Sequence, residues 1–307
     1  MRNEYEKESM TAEGQNSSKK PGMADGQNKS GDLEKVAFGI ALMFGVYWLD
    51  AYFLQEKLDL PAGIEKLLGL ASLYVVGLSL FLLMTKGIPG SPRERSKLSG
   101  SQLALCFLLQ FSAIMIMSVL VNILGVFGVE VATTEVDAVS PYMLFMLLVF
   151  NPIAEEFVFR KFFADKLLKY GERFFVFVSA FCFAIVHGVS LGIPQVIYTF
   201  ILGLIWGYVM AKTGDFKLVV LLHALSNLFG AVLLQLFLGI AMPLAGVYSI
   251  LLMATGAAGL SIFMANRKKV VLDGENGLVK SDVLKSIFIN KGIWIYVALT
   301  VVVMVVK

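Results

Sequence analysis

The chain consists of long apolar blocks separated by short polar segments. A bilayer crossing needs ~20 residues of helix, and the first four runs of that length lie at about 36–54, 67–85, 103–128 and 141–159. Two further stretches, 174–211 and 218–266, contain no Asp, Glu, Lys or Arg. Each of them is long enough for two crossings.

Glycine and proline divide each charge-free stretch into two helices. The dividing residues are Gly188, Gly192 and Pro194 in the first stretch, and Gly239 and Pro243 in the second. The pattern therefore predicts four more spans, at about 174–190, 194–211, 217–239 and 243–265. With the first four, they make eight.

The two ends of the chain differ from this middle. Residues 1–34 are polar and predict a disordered cytosolic tail. The run 292–306 is short, but it is a candidate ninth span if Lys291 reaches the headgroups. The basic segment before it contains KSDVLKSIF, which predicts a helix on the membrane surface. We therefore expect an all-α polytopic transmembrane helix bundle over 35–266, with eight to nine spans, followed by a cytosolic basic segment and last span over 267–307.

Composition agrees with a membrane protein. The mean hydropathy is +0.76, and 16% of residues are charged, whereas soluble proteins average about 25%. The net charge of +3 and the dispersed basic residues predict no nucleic-acid partner. Cys106 and Cys182 lie within apolar runs and predict no disulfide framework.

The basic residues predict the orientation, because cytoplasmic loops carry an excess of Lys and Arg. Of the 26 Lys and Arg residues, all but Lys57, Lys66 and Lys307 fall on the same side of the predicted topology as the amino terminus. We therefore expect a multi-pass protein of the cell membrane with a cytosolic amino terminus.

Ionisable residues within membrane spans are rare and mark functional sites. The fourth span ends in NPIAEEFVFRKFF, which places Glu155, Glu156 and Arg160 on one helix. A structural alternative is that Glu156 and Arg160, four residues apart, form an ion pair at the membrane boundary. That alternative leaves Glu155 unexplained.

Both histidines of the chain, His187 and His223, fall within apolar spans. A buried histidine often has a purely structural role, but His223 and Asn227 share one helical face, with Ser226 beside them. Counted along helices from the turn near Gly171, Glu155 and His187 reach the same depth, roughly 24 Å. The sequence predicts that three helices present these groups to one buried cavity, which opens towards the cytosol.

A carboxylate, two imidazoles and a carboxamide in a confined pocket suit hydrolysis of an amide bond. The carboxylate can take a proton from water, and imidazole and carboxamide N–H groups can stabilise an oxyanion. Glu155, His187 and His223 could instead hold a zinc ion with a bound water. No other cofactor is expected.

Three motifs occur in order: EEFVFR fits EExxxR, FAIVH fits FxxxH and HALSN fits HxxxN. Over about 141–230, the chain resembles the CPBP family, which groups type II CAAX prenyl endopeptidases with bacteriocin-processing and self-immunity membrane proteins. The resemblance implies that Glu155 is the general base on water and that His187 assists it. It further implies an oxyanion hole of His223 and Asn227, organised by Glu156 and Arg160. Descriptions of the family include both a metal and a metal-free glutamate mechanism.

Rival interpretations come from other classes. GVSLG at 188–192 fits GxSxG, but that serine-hydrolase turn joins a strand to a helix, which makes Ser190 a poor nucleophile. A proton-coupled transporter could use Glu155 and His187, and an immunity protein could act by binding alone. We expect an intramembrane endopeptidase acting on a peptide or membrane-protein substrate in the lipid bilayer.

Overall fold

The computed structural model describes residues 21–58, 60–92, 96–129, 137–273, 275–276 and 281–306. Its framework is eight helices that are long and apolar enough to cross a membrane. They are α1 (Asn28–Leu58), α2 (Ala62–Thr85), α3 (Gly100–Val126), α4 (Pro141–Tyr170), α5 (Glu172–Val189), α6 (Gly192–Thr213), α7 (Phe216–Ile240) and α8 (Met242–Lys269). The protein is thus an all-α, polytopic membrane protein, as the apolar pattern predicts.

Helices α5 and α6 form the centre of the bundle. Of their most apolar windows, 61% and 56% are buried, against 11% for α2 and 17% for α8. Although the backbone is helical from Glu172 to Thr213, α6 folds back along α5 at the turn where Gly192 has φ +70°. A Cβ on Gly203 would lie 2.8 Å from the Ala180 backbone, so only glycine allows this approach.

Polar side chains fix where several helices begin. Ser99 caps α3 in a capping box with Gln102, and Ser140 caps α4 just before Pro141. Asp215 accepts hydrogen bonds from the Lys217 and Leu218 amides at the start of α7. These caps fix the first residue of each of the three helices.

Segments of π-helix interrupt four of the spans. They are Asp50–Leu54 in α1, Ser72–Gly77 in α2, Met146–Phe150 and Phe157–Phe162 in α4, and Leu228–Val232 in α7. Such segments occur often at functional sites. Here those in α4 and α7 each supply a carbonyl to a side chain outside the segment: Leu147 to Asn227, Phe159 to Ser179, and Phe229 to Tyr248.

The chain ends in two shorter helices, α9 (Ser281–Phe288) and α10 (Lys291–Val306), which are bent by 62° to each other. Between α8 and α9, two short strands, β1 (Val271–Leu272) and β2 (Glu275–Asn276), pair antiparallel. Helix α10 packs along α1, with Gly292 against the Glu34 backbone and Leu299 against Gly45. It therefore runs parallel to α1 and is the candidate ninth crossing.

One end of the bundle, which we call the basic face, gathers the starts of α1, α3, α5 and α7. Side chains there link distant segments: Lys169 pairs with Asp32 at 2.8 Å, and Lys212 with Glu172 at 2.6 Å. Asp273 accepts from the Glu172 amide at 2.6 Å. The other end, the opposite face, carries the connections from α1 to α2, α5 to α6 and α7 to α8.

The predicted elements are present where the sequence placed them, with small shifts at the ends. The helix predicted for KSDVLKSIF is α9. Residues 1–20, which form most of the predicted disordered tail over 1–34, lie outside the described residues, and the chain is helical from Pro21. The domain boundaries at 34 and 266 stay predictions.

Helix α8 attaches to α3 through glycines, as small residues allow close contact between membrane helices. A Cβ on Gly256 would lie 2.5 Å from the Phe111 carbonyl oxygen, and one on Gly259 would lie 2.8 Å from that of Leu108. Ser112 donates to the Gly256 carbonyl at 2.7 Å. The two backbones therefore touch along this seam.

Gly256→Leu is expected to lower the free energy of unfolding, because the added side chain must push α8 off α3. Overpacking of this kind costs about 1–3 kcal/mol. The measurement is the thermal unfolding midpoint of the detergent-solubilised protein. Gly246→Leu on the same helix is the control, since nothing lies within 4 Å of a Cβ there. An equal unfolding midpoint for both variants would contradict the close contact between α3 and α8.

Candidate active site

Three helices bring a carboxylate and two imidazoles together in the middle of the bundle. Glu155 Oε2 of α4 lies 3.7 Å from His187 Nε2 of α5 and 3.9 Å from His223 Nε2 of α7. The side chains of Glu155 and His187 are 22% and 23% exposed, whereas that of His223 is 6% exposed. The predicted common depth of Glu155 and His187 is therefore confirmed.

Each histidine ring is held from its other nitrogen. His187 Nδ1 lies 2.7 Å from the Phe183 carbonyl oxygen, and His223 Nδ1 lies 2.9 Å from Glu156 Oε1. Because a carbonyl and a carboxylate only accept, both Nδ1 atoms donate. Both Nε2 atoms are left facing Glu155.

Glu156 and Arg160 form a buried pair behind His223. Arg160 Nε lies 3.2 Å from Glu156 Oε2, and both side chains are 0% exposed. The other oxygen of Glu156 binds His223. The ion pair that the sequence suggested as a structural alternative is present, but it is joined to the site rather than separate from it.

Aromatic rings complete the burial of this pair. The Arg160 guanidinium lies 4.4 Å from the Phe183 ring centroid and 5.5 Å from that of Trp206. Such cation–π contacts stabilise a desolvated cation. Among the described residues, Arg160 Nη1 and Nη2 have no hydrogen-bond partner. The two aromatic rings and the Glu156 carboxylate are therefore the groups that stabilise the buried positive charge of Arg160.

Trp206 is a residue of the site that the sequence analysis missed. Its indole stacks on the His223 imidazole with ring centroids 4.2 Å apart, and its Nε1–H donates to Gln110 Oε1 at 3.0 Å. The signal in the sequence was weak, because a tryptophan in an apolar span is usually lipid-facing or core. Its role depends on a neighbour that lies 17 residues away.

Asn227 lies one helical turn beyond His223. Its Nδ2 donates to the Leu147 carbonyl at 2.8 Å, within the π-helical segment Met146–Phe150. This bond ties α7 to α4 next to Asn151–Glu156. Asn227 is thus at the edge of the site, held by the helix that carries Glu155.

A cavity of about 340 Å³ adjoins Glu155 and His187. Aromatic side chains form much of its wall: Phe44, Tyr47, Trp48, Tyr52, Tyr74 and Phe159. From Glu155 it extends to Asn151 and Tyr52 on one side, and to Val158 and Phe159 on the other. The predicted opening of this cavity towards the cytosol stays a prediction.

Zinc binding by Glu155, His187 and His223 is the other prediction for these residues. Their donor types are those of a zinc site. Among the described residues, however, no group of three His, Cys, Asp or Glu side chains is arranged to hold a metal ion. The zinc hypothesis gains no support from this geometry.

The side chain of Ser190 is outside the described residues, and its backbone lies in the turn between α5 and α6.

Residues 137–229 match the family model described as type II CAAX prenyl endopeptidase Rce1-like. This match covers 93 of the 307 residues, and over that segment the chain is similar to the family. The matched segment includes every residue of the predicted site. No curated protein and no solved structure matches the chain. The matched family is described as one of endopeptidases.

Glu156→Gln is expected to destabilise the protein strongly, because it leaves the Arg160 charge buried without a counter-ion. Breaking a buried pair in this way costs about 3–5 kcal/mol. Thermal unfolding in detergent measures the loss. Combining Glu156→Gln with Arg160→Met removes both charges and should restore part of the stability.

Asp165→Asn is the matched control, since Asp165 pairs with Lys166 at 3.2 Å but is 43% exposed. Surface pairs contribute about 0–1 kcal/mol. If Glu156→Gln lost no more stability than Asp165→Asn, the prediction that Arg160 depends on Glu156 as its counter-ion would be wrong.

Proposed function

We propose that the protein is an intramembrane endopeptidase in which Glu155 activates water to cleave a peptide bond. One observation carries the proposal: the Glu155 carboxylate faces two imidazole Nε2 atoms, at 3.7 and 3.9 Å, beside a cavity within the bundle. Both separations exceed hydrogen-bond length. A water molecule bridging the carboxylate and a ring nitrogen would fit between them.

In the proposed reaction, Glu155 takes a proton from this water while the water oxygen attacks the carbonyl carbon. His187 assists by holding the water through Nε2, since its Nδ1 is already bound to Phe183. The electron pair of the carbonyl moves to oxygen, which forms a tetrahedral oxyanion. Glu155 then returns the proton to the leaving nitrogen as the C–N bond breaks.

His223 and Asn227 are proposed to stabilise the oxyanion. A doubly protonated His223 ring can donate from Nε2 while Nδ1 donates to Glu156. The Glu156 carboxylate balances the ring's positive charge, and Arg160 in turn balances Glu156. For Asn227 to contribute, its Nδ2 must share or leave the Leu147 carbonyl.

Transport and simple binding are the competing functions. The residues that hold the two rings favour catalysis, because they fix which nitrogen of each ring faces Glu155. A binding protein has no need for rings with fixed nitrogens around one half-buried carboxylate. The proposed substrate is a peptide or a membrane protein, and the description of the matched family refers to CAAX prenyl substrates.

Glu155→Gln is expected to abolish cleavage, because the amide cannot accept a proton from water. Expression and membrane insertion should stay at the wild-type level, since Glu155 is only part-buried and not in the Arg160 pair. The measurement is a proteomic comparison of membranes from cells producing either form. Glu34→Gln, which alters an exposed carboxylate of α1, is the control. Identical peptide products from the Glu155 variant and from wild type would contradict the proposed enzymatic activity.

Removal of divalent metal is expected to leave activity unchanged, because the mechanism needs only protein groups. The purified protein is treated exhaustively with a chelator and assayed on a peptide that the proteomic comparison identifies. Loss of activity, with recovery on adding zinc, would favour a site of Glu155, His187 and His223. The same treatment of Glu155→Gln controls for effects on the assay.

A further inference from the structure

We propose that the protein holds one anionic phospholipid of the surrounding bilayer, with an acyl chain in an apolar cleft between α3, α6 and α8 and its headgroup against the basic residues Arg267–Lys269. The cleft encloses about 330 Å³, which is within the range of pockets that take small ligands. Among the described residues, it shares no lining residue with the cavity beside Glu155. The proposal therefore does not depend on the proposed function.

Helix α3 forms the floor of the cleft, and two tight contacts hold its walls in place. The glycine seam holds α8 against α3, with the Ser112 hydroxyl donating to the Gly256 carbonyl at 2.7 Å. On the other side, the Trp206 indole of α6 donates to Gln110 of α3 at 3.0 Å. Because α8 otherwise packs mainly on α7, a space remains between α6 and α8.

The lining of the cleft is almost wholly apolar. Of its 17 described residues, Gln102, Ser112 and Tyr208 are polar, and none is charged. Ser112 already donates within the bundle. Gln102 and Tyr208 lie near the basic face, two residues after the first residue of α3 and five before the last of α6. The interior thus matches a hydrocarbon chain, and the polar groups lie where that chain would join its glycerol backbone.

The cleft runs inwards from the basic face by the depth of one leaflet. Its deepest lining residues are Ile116, 16 residues into α3, and Phe200, 13 residues before the end of α6. At 1.5 Å per residue, these positions lie roughly 24 and 20 Å from the helix ends. A bilayer with its headgroup regions is about 40–45 Å thick. The cleft therefore matches the leaflet at the basic face, which is the predicted cytosolic leaflet and the one that carries anionic lipids.

The side of the cleft is open to the bilayer. Leu204 of α6 and both Leu260 and Phe263 of α8 line it and are part-exposed. In a membrane these side chains meet lipid tails. An acyl chain can therefore enter between α6 and α8 without displacing a helix.

Basic residues stand at the basic-face end of the cleft. Arg267, Lys268 and Lys269 end α8 directly before Val270 of the lining, and all three are exposed. Lys97, which is also exposed, precedes α3 by three residues. Lipid tails are as apolar as the lining, so the acyl chain alone gives little preference for one lipid. The positive charges supply the preference, because they attract an anionic headgroup.

The carboxylates near this basic cluster bind other groups. In the described part of the chain, no ion pair includes a residue of 267–269. Asp273, which follows the cluster, accepts from the Glu172 amide at 2.6 Å and from the Arg173 amide at 3.1 Å. The Glu172 carboxylate pairs with Lys212. The cluster is therefore available to a phosphate group.

The test is native mass spectrometry of the full-length protein in detergent, with phosphatidylglycerol or phosphatidylcholine of the same acyl chains added. Phosphatidylglycerol carries a net negative charge and phosphatidylcholine carries none, so the pair reports on headgroup charge. We expect one phosphatidylglycerol to stay bound per chain, and phosphatidylcholine to bind more weakly by roughly tenfold or more. Equal retention of the two lipids would overturn the proposal.

The headgroup contact is tested by changing the three basic residues at 267–269 to Gln. This variant should lose the preference for phosphatidylglycerol and keep the wild-type unfolding midpoint, since the three side chains are exposed. The matched control changes Lys35, Lys86 and Lys217 to Gln, which removes the same charge from exposed positions of the basic face. An equal loss of preference in both variants would show attraction to the whole face and would reject the site.

The acyl-chain contact is tested by Leu260→Trp, which fills the cleft with an indole and leaves the basic cluster intact. The matched control is Leu251→Trp, since Leu251 is 59% exposed and lies roughly 2.5 turns away, on the other side of α8. Leu260→Trp should lose most of the bound phosphatidylglycerol, and Leu251→Trp should keep it. Leu204→Trp fills the cleft from the facing helix and should act as Leu260→Trp does, which guards against a folding defect in one variant.

Unchanged retention in both cleft variants would place the lipid elsewhere on the protein and would reject the proposal. None of these measurements involves cleavage. Their outcome is therefore separate from that of the Glu155→Gln experiment, and either proposal can fail while the other stands.

Discussion

The arrangement of the site depends on one buried carboxylate. Glu156 binds Arg160 with one oxygen and His223 with the other, and neither Glu156 nor Arg160 is exposed. In a membrane interior, such charges persist only when each has a partner. Such a pair adds little net stability relative to apolar residues of the same size, although removing one partner is costly. Its consequence here is that Glu156 holds the ring of His223 beside Glu155.

This constraint also explains why two adjacent glutamates have different surroundings. Glu155 and Glu156 point about a third of a helical turn apart on α4. Glu156 is enclosed by Arg160, His223 and the aromatic rings, whereas Glu155 is part-exposed to the cavity and faces two ring nitrogens. One carboxylate is thus committed to protein contacts, and the other can meet water.

The helices around the site depart from regular α-helix where these contacts form. In α4, the segments Met146–Phe150 and Phe157–Phe162 flank the two glutamates, and in α7 a third π-helical segment begins directly after Asn227. Carbonyls in these segments accept bonds from Asn227 and Ser179. The irregular backbone joins α4 to its neighbours with hydrogen bonds that lipid could not supply.

The sequence by itself determined the class of protein, the number of spans and the residue types of the site. Apolar runs of bilayer length and charge-free stretches leave few alternatives, because every backbone polar group in lipid must be satisfied within a helix. Counting along α4 and α5 placed Glu155 and His187 at one depth, since helical rise is constant. The tertiary structure alone decided which side chains touch. The stacking of Trp206 on His223 and the contacts of the Arg160 guanidinium with aromatic rings depend on how helices distant in sequence rotate and pack. Periodicity along one helix carries no information about its neighbours.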